Sequence, residues 1–281
     1  MEKKILKYFN IKKKIIFSLK EKWFSSLNKL TDNTLCFLSE TTEEEINKIN
    51  KKKNLILLIK KKHKKINKTI VQIETRDPKL YFFELVEKLY VPKIKNMKPI
   101  IGKNTTIGKN TSIGVNVTIG NKTKICSNVV IGDNVKIGNN CVIKSGAVIG
   151  QKGFQAIKAE DGNLIEIFHV GGVEIKDYVD IGALNTIAKA TLDTTFIDSY
   201  NKFDDHIHVA HNATFGKNNI VCAATIFGGS VKIGERNFFG LNSTIRNFTT
   251  IGNSNLIGQG SNVVKDIGNK ELIYGNPAIK H

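Results

Sequence analysis

The chain of 281 residues is 41% hydrophobic, enough for a core in one large or two ordinary domains, and its 43 Lys+Arg against 25 Asp+Glu give a formal charge of +18. No window approaches eighteen consecutive apolar residues and lysines interrupt the opening MEKKILKYFNIKKKIIF, so neither a membrane span nor a secretory signal is expected, and the expected location is the cytoplasm. Cys36, Cys126, Cys141 and Cys222 stand far apart without a CxxC pair, which argues against a zinc cage and a disulfide framework.

Residues 1–100 hold 25 Lys+Arg and 11 Asp+Glu, so most of the excess charge is N-terminal. Arginine occurs only at Arg76, Arg236 and Arg246, whereas nucleic-acid readers rely on its bidentate fork. The expectation is a lysine-rich solvated surface with some attraction for acidic ligands or membrane headgroups, and no nucleic-acid partner.

In chain order, NLILLI and TIVQI read as strands. DPKLYFFELVEKLY reads as a helix with Asp77 as its cap, Pro78 in its first turn and Leu85, Val86 and Leu89 on its buried side. Residues 1–97 are therefore expected to form a small α/β domain, joined through VPKIKNMKP, with Pro92 and Pro99, to a second domain over 98–281.

That second domain keeps a different period. Isoleucine stands at 101, 107, 113, 119, 125, 131, 137, 143 and 149, a spacing of six without a slip. Neither a helix nor an ordinary strand has this period; a parallel β-helix does, with three six-residue faces per coil and equivalent residues stacked about 4.8 Å apart. The pattern resumes at Ile175, Ile181 and Ile187, two residues out of phase, and again from Ile197 through Phe203, Val209 and Phe215 to Val263. Two excursions, near 151–172 and 188–196, thus leave the prism, and loops on a rigid scaffold are where function gathers.

FDDHIHVAHNATFG then puts three of the chain's six histidines, His206, His208 and His211, within six residues. An HxHxxH string can bind zinc, but alternating positions on a β-helix face point opposite ways, so no metal site is expected.

The repeats beginning IGKNTTIG, the loop GQKGF, the stretch VEIKDYVDIGALNTI, the segment ATLDTT and above all FDDHIHVAHN resemble the left-handed β-helix acyltransferases. Within that family the order of features is similar to the UDP-3-O-acylglucosamine N-acyltransferases of lipid A synthesis. The resemblance implies an α+β N-terminal domain followed by an all-β left-handed parallel β-helix, and a homotrimer with sites between neighbouring prisms. It also implies that His211, of the AHN motif, is the catalytic base. An amine attacking a thioester loses a proton as the C–N bond forms, and imidazole is suited to take it. The oxyanion donor is expected near Gly228 and Gly229, one coil above, with no acyl-enzyme.

Spacing adds a partner. Asp193 lies 18 residues before His211, so in an 18-residue coil its carboxylate would stack beneath the imidazole. Asp204 and Asp205 compete for that role or serve as turn residues, Asp204 and Asn212 being also candidates to touch the acceptor. In the first excursion, His169 and Phe154 are candidates to contact donor or sugar.

The chain also departs from the lipid A pattern. CFLSETTEEE keeps Phe37 but offers Glu40 and Glu43 where those enzymes hold uracil, Phe248 replaces a later histidine, and no helical C-terminal extension for acyl carrier protein follows the prism. The closing NVVKDIGNKELIYGNPAIKH instead resembles acetyltransferases that use coenzyme A, which places Asn276, Pro277 and Gly228 or Gly229 along the donor and Lys265, Lys270 and Lys280 near its phosphates. The leading expectation is therefore an N-acyltransferase moving acetyl or another short acyl group from acyl-CoA, with no tightly bound cofactor, to the amine of a nucleotide-linked amino deoxysugar. The alternative is the lipid A N-acyltransferase with a hydroxyacyl carrier protein. A purely structural or carbohydrate-binding β-helix would need the prism alone, without histidine, aspartate and glycine falling into register.

Overall fold

A computed structural model describes residues 1–281 apart from 12–17, 20–22, 40, 91–96, 160 and 281. Glu40 and Pro92 lie outside the described residues. The chain divides into two units, 1–93 with 156–168, and 94–155 with 169–281. No described helix is long and apolar enough to cross a membrane.

In the first unit, α1 (Glu2–Tyr8) precedes β1 (Leu35–Leu38), α2 (Glu43–Asn50), β2 (Ile56–Ile59), β3 (Val71–Glu74) and α3 (Pro78–Tyr90). The three strands form a parallel sheet in the order β1, β2, β3, and the central run ILLI is buried throughout, as a strand covered on both faces requires. Asp77 caps α3 by accepting the Leu80 N–H at 2.9 Å. Phe82, Phe83, Leu85 and Val86 carry the buried side of this helix, while Leu89, in its last turn, is only half-buried. A Thr42/Glu45 capping box starts α2. Phe37 packs its ring 5.0 Å from Phe82, and Glu43 pairs with Lys65 at 2.8 Å. The first excursion contributes an antiparallel hairpin, Ala156–Lys158 with Leu164–Glu166, to this unit.

The second unit is the expected parallel β-helix. Its first face runs from Ile100–Ile101 to Thr250–Ile251, its second from Thr106–Ile107 to the closing strand Ala278–Lys280, and its third from Ser112–Ile113 to Asn262–Val263. Regular coils pair residues 18 apart, such as Ile119 with Ile137 and Phe203 with Val221. The excursions stretch two of them: Ile137 pairs with Ile175, 38 residues on, and Ile175 with Ile197, 22 residues on. Left-handed corners fall more often on asparagine than on any other residue, its short polar side chain tolerating φ near +60°, though Tyr178, Leu184, Tyr200 and Phe248 hold such corners too.

Inside, Phe203, Phe215, Phe227 and Phe239 climb the core on successive faces, edge to face at 4.9–5.3 Å. At the corner between the first and second faces, Asn201, Asn219, Asn237 and Asn255 are buried one above another. Each higher amide donates to the Oδ1 of the one below at 2.9–3.0 Å.

Candidate active site

The corner between the third and first faces departs from this regularity. In this coil the third-face strand is His208–Val209, after which the chain turns through Ala210, His211 and Asn212, the last at φ +60°. The turn rests on the stretched coil. Asn212 donates its N–H to Thr195 Oγ1 at 3.0 Å, accepts the Thr191 N–H on Oδ1 at 2.9 Å, and directs Nδ2 to Thr191 Oγ1 at 3.1 Å and His211 Nδ1 at 2.9 Å.

A backbone N–H can only donate, so the Thr191 bond fixes which way the Asn212 amide faces. His211 Nδ1 therefore accepts, and the neutral ring at rest holds its proton on Nε2. The polar capacity of Asn212 is directed to the loop and to His211, a positioning geometry for a residue expected to touch substrate.

Two glycines close on the imidazole. A Cβ at Gly229 would stand 2.9 Å from His211 Nε2 and Cε1, and one at Gly153 would stand 2.9 Å from His211 Cβ and 3.2 Å from His169 Cε1. Neither site accommodates a side chain without displacing a histidine. Gly153 donates its N–H to His169 Nδ1 at 3.1 Å, and the 1% exposed His169 ring meets His211 edge-on at 5.4 Å.

These groups open onto a cavity of about 690 Å³. Its aliphatic wall is Val148, Ile187, Ala188 and Ala210; His208, His211, Gly229 and Asn247 face it, and Phe154 and Phe248 stand at it with 86% and 71% of their surface exposed. His208 shares a 2.6 Å hydrogen bond between Nδ1 and Thr186 Oγ1, and desolvation lowers its pKa below the ordinary histidine value. Lys152 also lines the cavity and is the register partner of Lys189, whose pKa burial lowers.

The remaining expected residues are distributed as follows. Asp193 belongs to the loop beneath the His211 turn, between Thr191 and Thr195, but not as an 18-residue register partner. The premise of that count fails because Thr186 pairs with His208, 22 residues on, and the added residues fall at 190–193. Asp204 sits at a different corner, between the second and third faces, where its carbonyl accepts from Asn185 Nδ2 and the neighbouring Asp205 carboxylate accepts from Ala183 N–H and Lys144. It does not line the cavity.

Gly228 precedes Gly229 and a Cβ there would meet the Asn247 backbone. Asn276 and Pro277 form the turn of the closing hairpin on the second face, not at the His211 corner. Lys280 pairs with Glu271 at 3.5 Å and Lys270 occupies a left-handed position, whereas Lys265 follows the last third-face strand, in the corner column of His211. His211, Gly229, Asn247 and Lys265 succeed one another at intervals of 18, which puts Lys265 about 14 Å above the imidazole.

Sequence reasoning passed over His208 and Lys152 at the cavity. The signal for both was positional: His208 precedes Val209, an interior residue, and must face outward on the same face as the AHN turn, while Lys152 follows Ile149 into the GQKGF loop. No group of histidines, cysteines and carboxylates among the described residues could hold a metal ion.

Comparison with known proteins agrees with this architecture. Residues 116–151 match the family of bacterial transferase hexapeptides (six repeats). The UDP-3-O-acylglucosamine N-acyltransferase of Christiangramia forsetii is 40% identical over 132 residues, 47% of this chain and 39% of the relative. That of Wolinella succinogenes is 34% identical over 136 residues, 48% of this chain and 43% of the relative. The matched part thus spans less than half the length of these curated relatives.

Among solved structures, UDP-N-acetylglucosamine O-acyltransferase from Moraxella catarrhalis superposes with a TM-score of 0.61 at 28% identity, over 66% of this chain and 70% of the other. LpxA from Acinetobacter baumannii superposes with a TM-score of 0.61 at 30% identity, over 67% of this chain and 71% of the other. By its repeats, its coils and this relationship, the chain belongs to the hexapeptide-repeat family of left-handed β-helix acyltransferases.

Proposed function

We propose that the chain transfers an acyl group from a phosphopantetheine thioester to the amine of a nucleotide-linked amino sugar, in the manner of the relatives named UDP-3-O-acylglucosamine N-acyltransferases. The observation that carries this reading is the meeting of an imidazole edge, His211 Nε2, with the side-chain-free backbone of Gly229 in a cavity whose wall is aliphatic.

The chemistry needs both. The amine attacks the thioester carbonyl, a C–N bond forms, and a proton passes from nitrogen to His211 Nε2. The oxyanion is stabilised by the backbone at Gly229. On its collapse the C–S bond breaks and the imidazolium returns the proton to the leaving thiolate, so the products are amide and thiol. Base action at Nε2 requires the ring's own proton to move to Nδ1. Asp193, in the loop under the turn, is proposed to accept that Nδ1–H in place of the Asn212 amide. His169 and Gly153 hold the ring in place.

The donor arm is proposed to rise along the column from His211 past Asn247 to Lys265, whose charge meets the phosphate; about 14 Å suits an extended arm of some twelve bonds. Lys152 is proposed to meet a phosphate of the acceptor. Because one prism supplies one side of such a cleft, three copies about a threefold axis complete three sites. The names of the relatives favour a UDP-linked acylglucosamine as acceptor, and the resemblance to the lipid A enzymes favours a carrier-protein donor. A second reading, acetyl from coenzyme A onto an amino deoxysugar, keeps the support of the closing GNPA segment.

The test is thiol release from purified protein with 3-hydroxyacyl carrier protein or acetyl-CoA, against UDP-3-O-acylglucosamine and UDP- and dTDP-linked amino deoxysugars. Turnover of the first pair, lost in His211→Ala, is expected. Turnover confined to acetyl-CoA with a deoxysugar would install the second reading, and silence with every pair would reject both.

A further inference from the structure

The lysines of the first unit are concentrated in one stretch. Between residues 48 and 68 the chain holds ten lysines and no carboxylate, whereas residues 101–281 carry 18 Lys+Arg against 14 Asp+Glu. Nine of the ten are exposed and Lys52 is half-buried. Among the described residues, only Lys48, Lys62 and Lys65 stand within ion-pair distance of a carboxylate, at 2.7–4.0 Å from Glu44, Glu74 and Glu43. The other seven ammonium groups repel one another without a counter-charge from the fold.

This stretch is pinned to the unit beneath it. Asn50, at the end of α2, donates Nδ2 to the Lys65 carbonyl and accepts the Asn67 N–H on Oδ1, both at 2.8 Å. Lys62 and His63 donate their backbone N–H groups to Glu74 Oε1 and Gln72 Oε1 of β3, again at 2.8 Å. Ile66 and Ile70 turn into the core with Ile49. The connection from β2 to β3 and the end of α2 therefore present their lysines from a fixed backbone.

Composition decides what such a surface fits. Protein interfaces and nucleic-acid grooves favour arginine and aromatic residues, and protein interfaces are depleted in lysine; residues 48–68 contain no arginine and no Phe, Tyr or Trp. A hydrated ammonium on a flexible stem responds to a field rather than to a shape, and near an anionic bilayer each lysine is worth about fivefold in binding. The proposed reaction gives such a surface a use. Its acceptor carries one acyl chain and its product two; one chain holds an amphiphile on a bilayer marginally, and two anchor it.

We infer that the lysine face of residues 48–68 docks the chain on an anionic phospholipid bilayer, where a two-chain product passes into the membrane without crossing water. The face is argued from its own residues, and its purpose rests on the acyl-transfer reading above.

The test is co-sedimentation of the full chain, without donor or acceptor, with vesicles of phosphatidylcholine alone or with about one-third phosphatidylglycerol. The chain is expected to bind the anionic vesicles at least tenfold more tightly than the neutral ones at low salt, and to lose most of that preference as salt rises to about 0.5 M. Lys60→Gln, Lys61→Gln and Lys64→Gln together should weaken binding roughly a hundredfold, with melting temperature and thiol release in vesicle-free solution unchanged. Lys60→Arg, Lys61→Arg and Lys64→Arg together should keep the binding, since a field counts charges and not shapes.

Equal binding of both vesicle types, no binding, or a glutamine variant that binds like the parent overturns the inference. Absence from vesicles together with lysine-dependent binding of an acidic carrier protein would reassign the face to that protein. Lysine-dependent vesicle binding by a chain that turns over no sugar keeps the docking face and rejects the acyl-transfer reading, and turnover without vesicle binding does the reverse.

Discussion

Two corners of the same prism are built in opposite ways. Between the first and second faces, Asn201, Asn219, Asn237 and Asn255 repeat one residue in one environment, each amide above Asn201 donating to the asparagine below and to a glycine carbonyl. Between the third and first faces, His211, Gly229, Asn247 and Lys265 change chemistry at every step, and the coil below them is stretched to 22 residues. A column that repeats is a scaffold, because each member answers the hydrogen-bonding needs of the next. A column that changes offers an incoming molecule a different group at each level, which is what an extended ligand with a reactive end and a charged end requires.

Substitutions can break that contrast. In the changing column, His211→Ala should lower kcat by roughly 10²–10⁴, the usual worth of a positioned acid–base group, with little loss of melting temperature, as read by thiol release and thermal unfolding. Gly229→Ala, whose Cβ would stand 2.9 Å from the imidazole, should cost roughly 10²–10³ in kcat by displacing the ring from the backbone that faces it. If either variant instead unfolds and the residual folded fraction keeps parental turnover, the column is scaffold too.

In the repeating column the order of effects reverses. Asn219→Ala removes the acceptor used by the Asn237 N–H and Nδ2 and the donor used by the Gly216 and Gly234 carbonyls. Leaving such groups buried should lower stability by about 1–3 kcal/mol in denaturant titration, with kcat unchanged in the folded protein. A loss of kcat with no loss of stability would erase the distinction between the corners.

The same contrast explains what could be read from the sequence. Period-six isoleucine names a β-helix because an interior position must be refilled every turn, so Ile101 to Ile149 located three faces without any structure. The strands of the first unit were legible at Ile56–Ile59 as an apolar run and at Val71–Glu74 as β-branched residues alternating with polar ones, whereas Leu35–Leu38 was hidden by its polar flanks and α2 is only eight residues long. His211 could be singled out because its motif is compact. The count to Asp193 was not secure, since counting by 18 presupposes a regular coil and the added residues lie inside the interval being counted. Asp204 stands away from this cavity for a related reason: closeness in sequence to a histidine says little where seven residues carry the chain around a corner. The polar partners of Asn212 were invisible because Thr191 and Thr195 reach it only through the loop.

The smallest expected effect tests how far the outer wall of the site differs from the solvated faces around it. Desolvation lowers the His208 pKa below 6.5, so the folded chain resists protonating this ring more than the unfolded chain does. Protons then favour the unfolded state: the penalty is absent above the unfolded pKa and grows as pH falls from about 6.5 towards the lower folded value. His208→Gln should flatten that stretch of the curve of melting temperature against pH, by no more than a few degrees, and leave the curve above pH 7 parallel to the parent's. The hydrogen bond to Thr186 Oγ1 makes a second arm available. In the neutral ring the hydroxyl either donates to Nδ1 or accepts from it, but in imidazolium it can only accept, so Thr186→Val takes an acceptor from the charged form and should steepen the acid loss. Parallel parent and His208→Gln curves down to pH 5 would mean that the ring is as well solvated as a surface histidine, and that the cavity is wet at this wall.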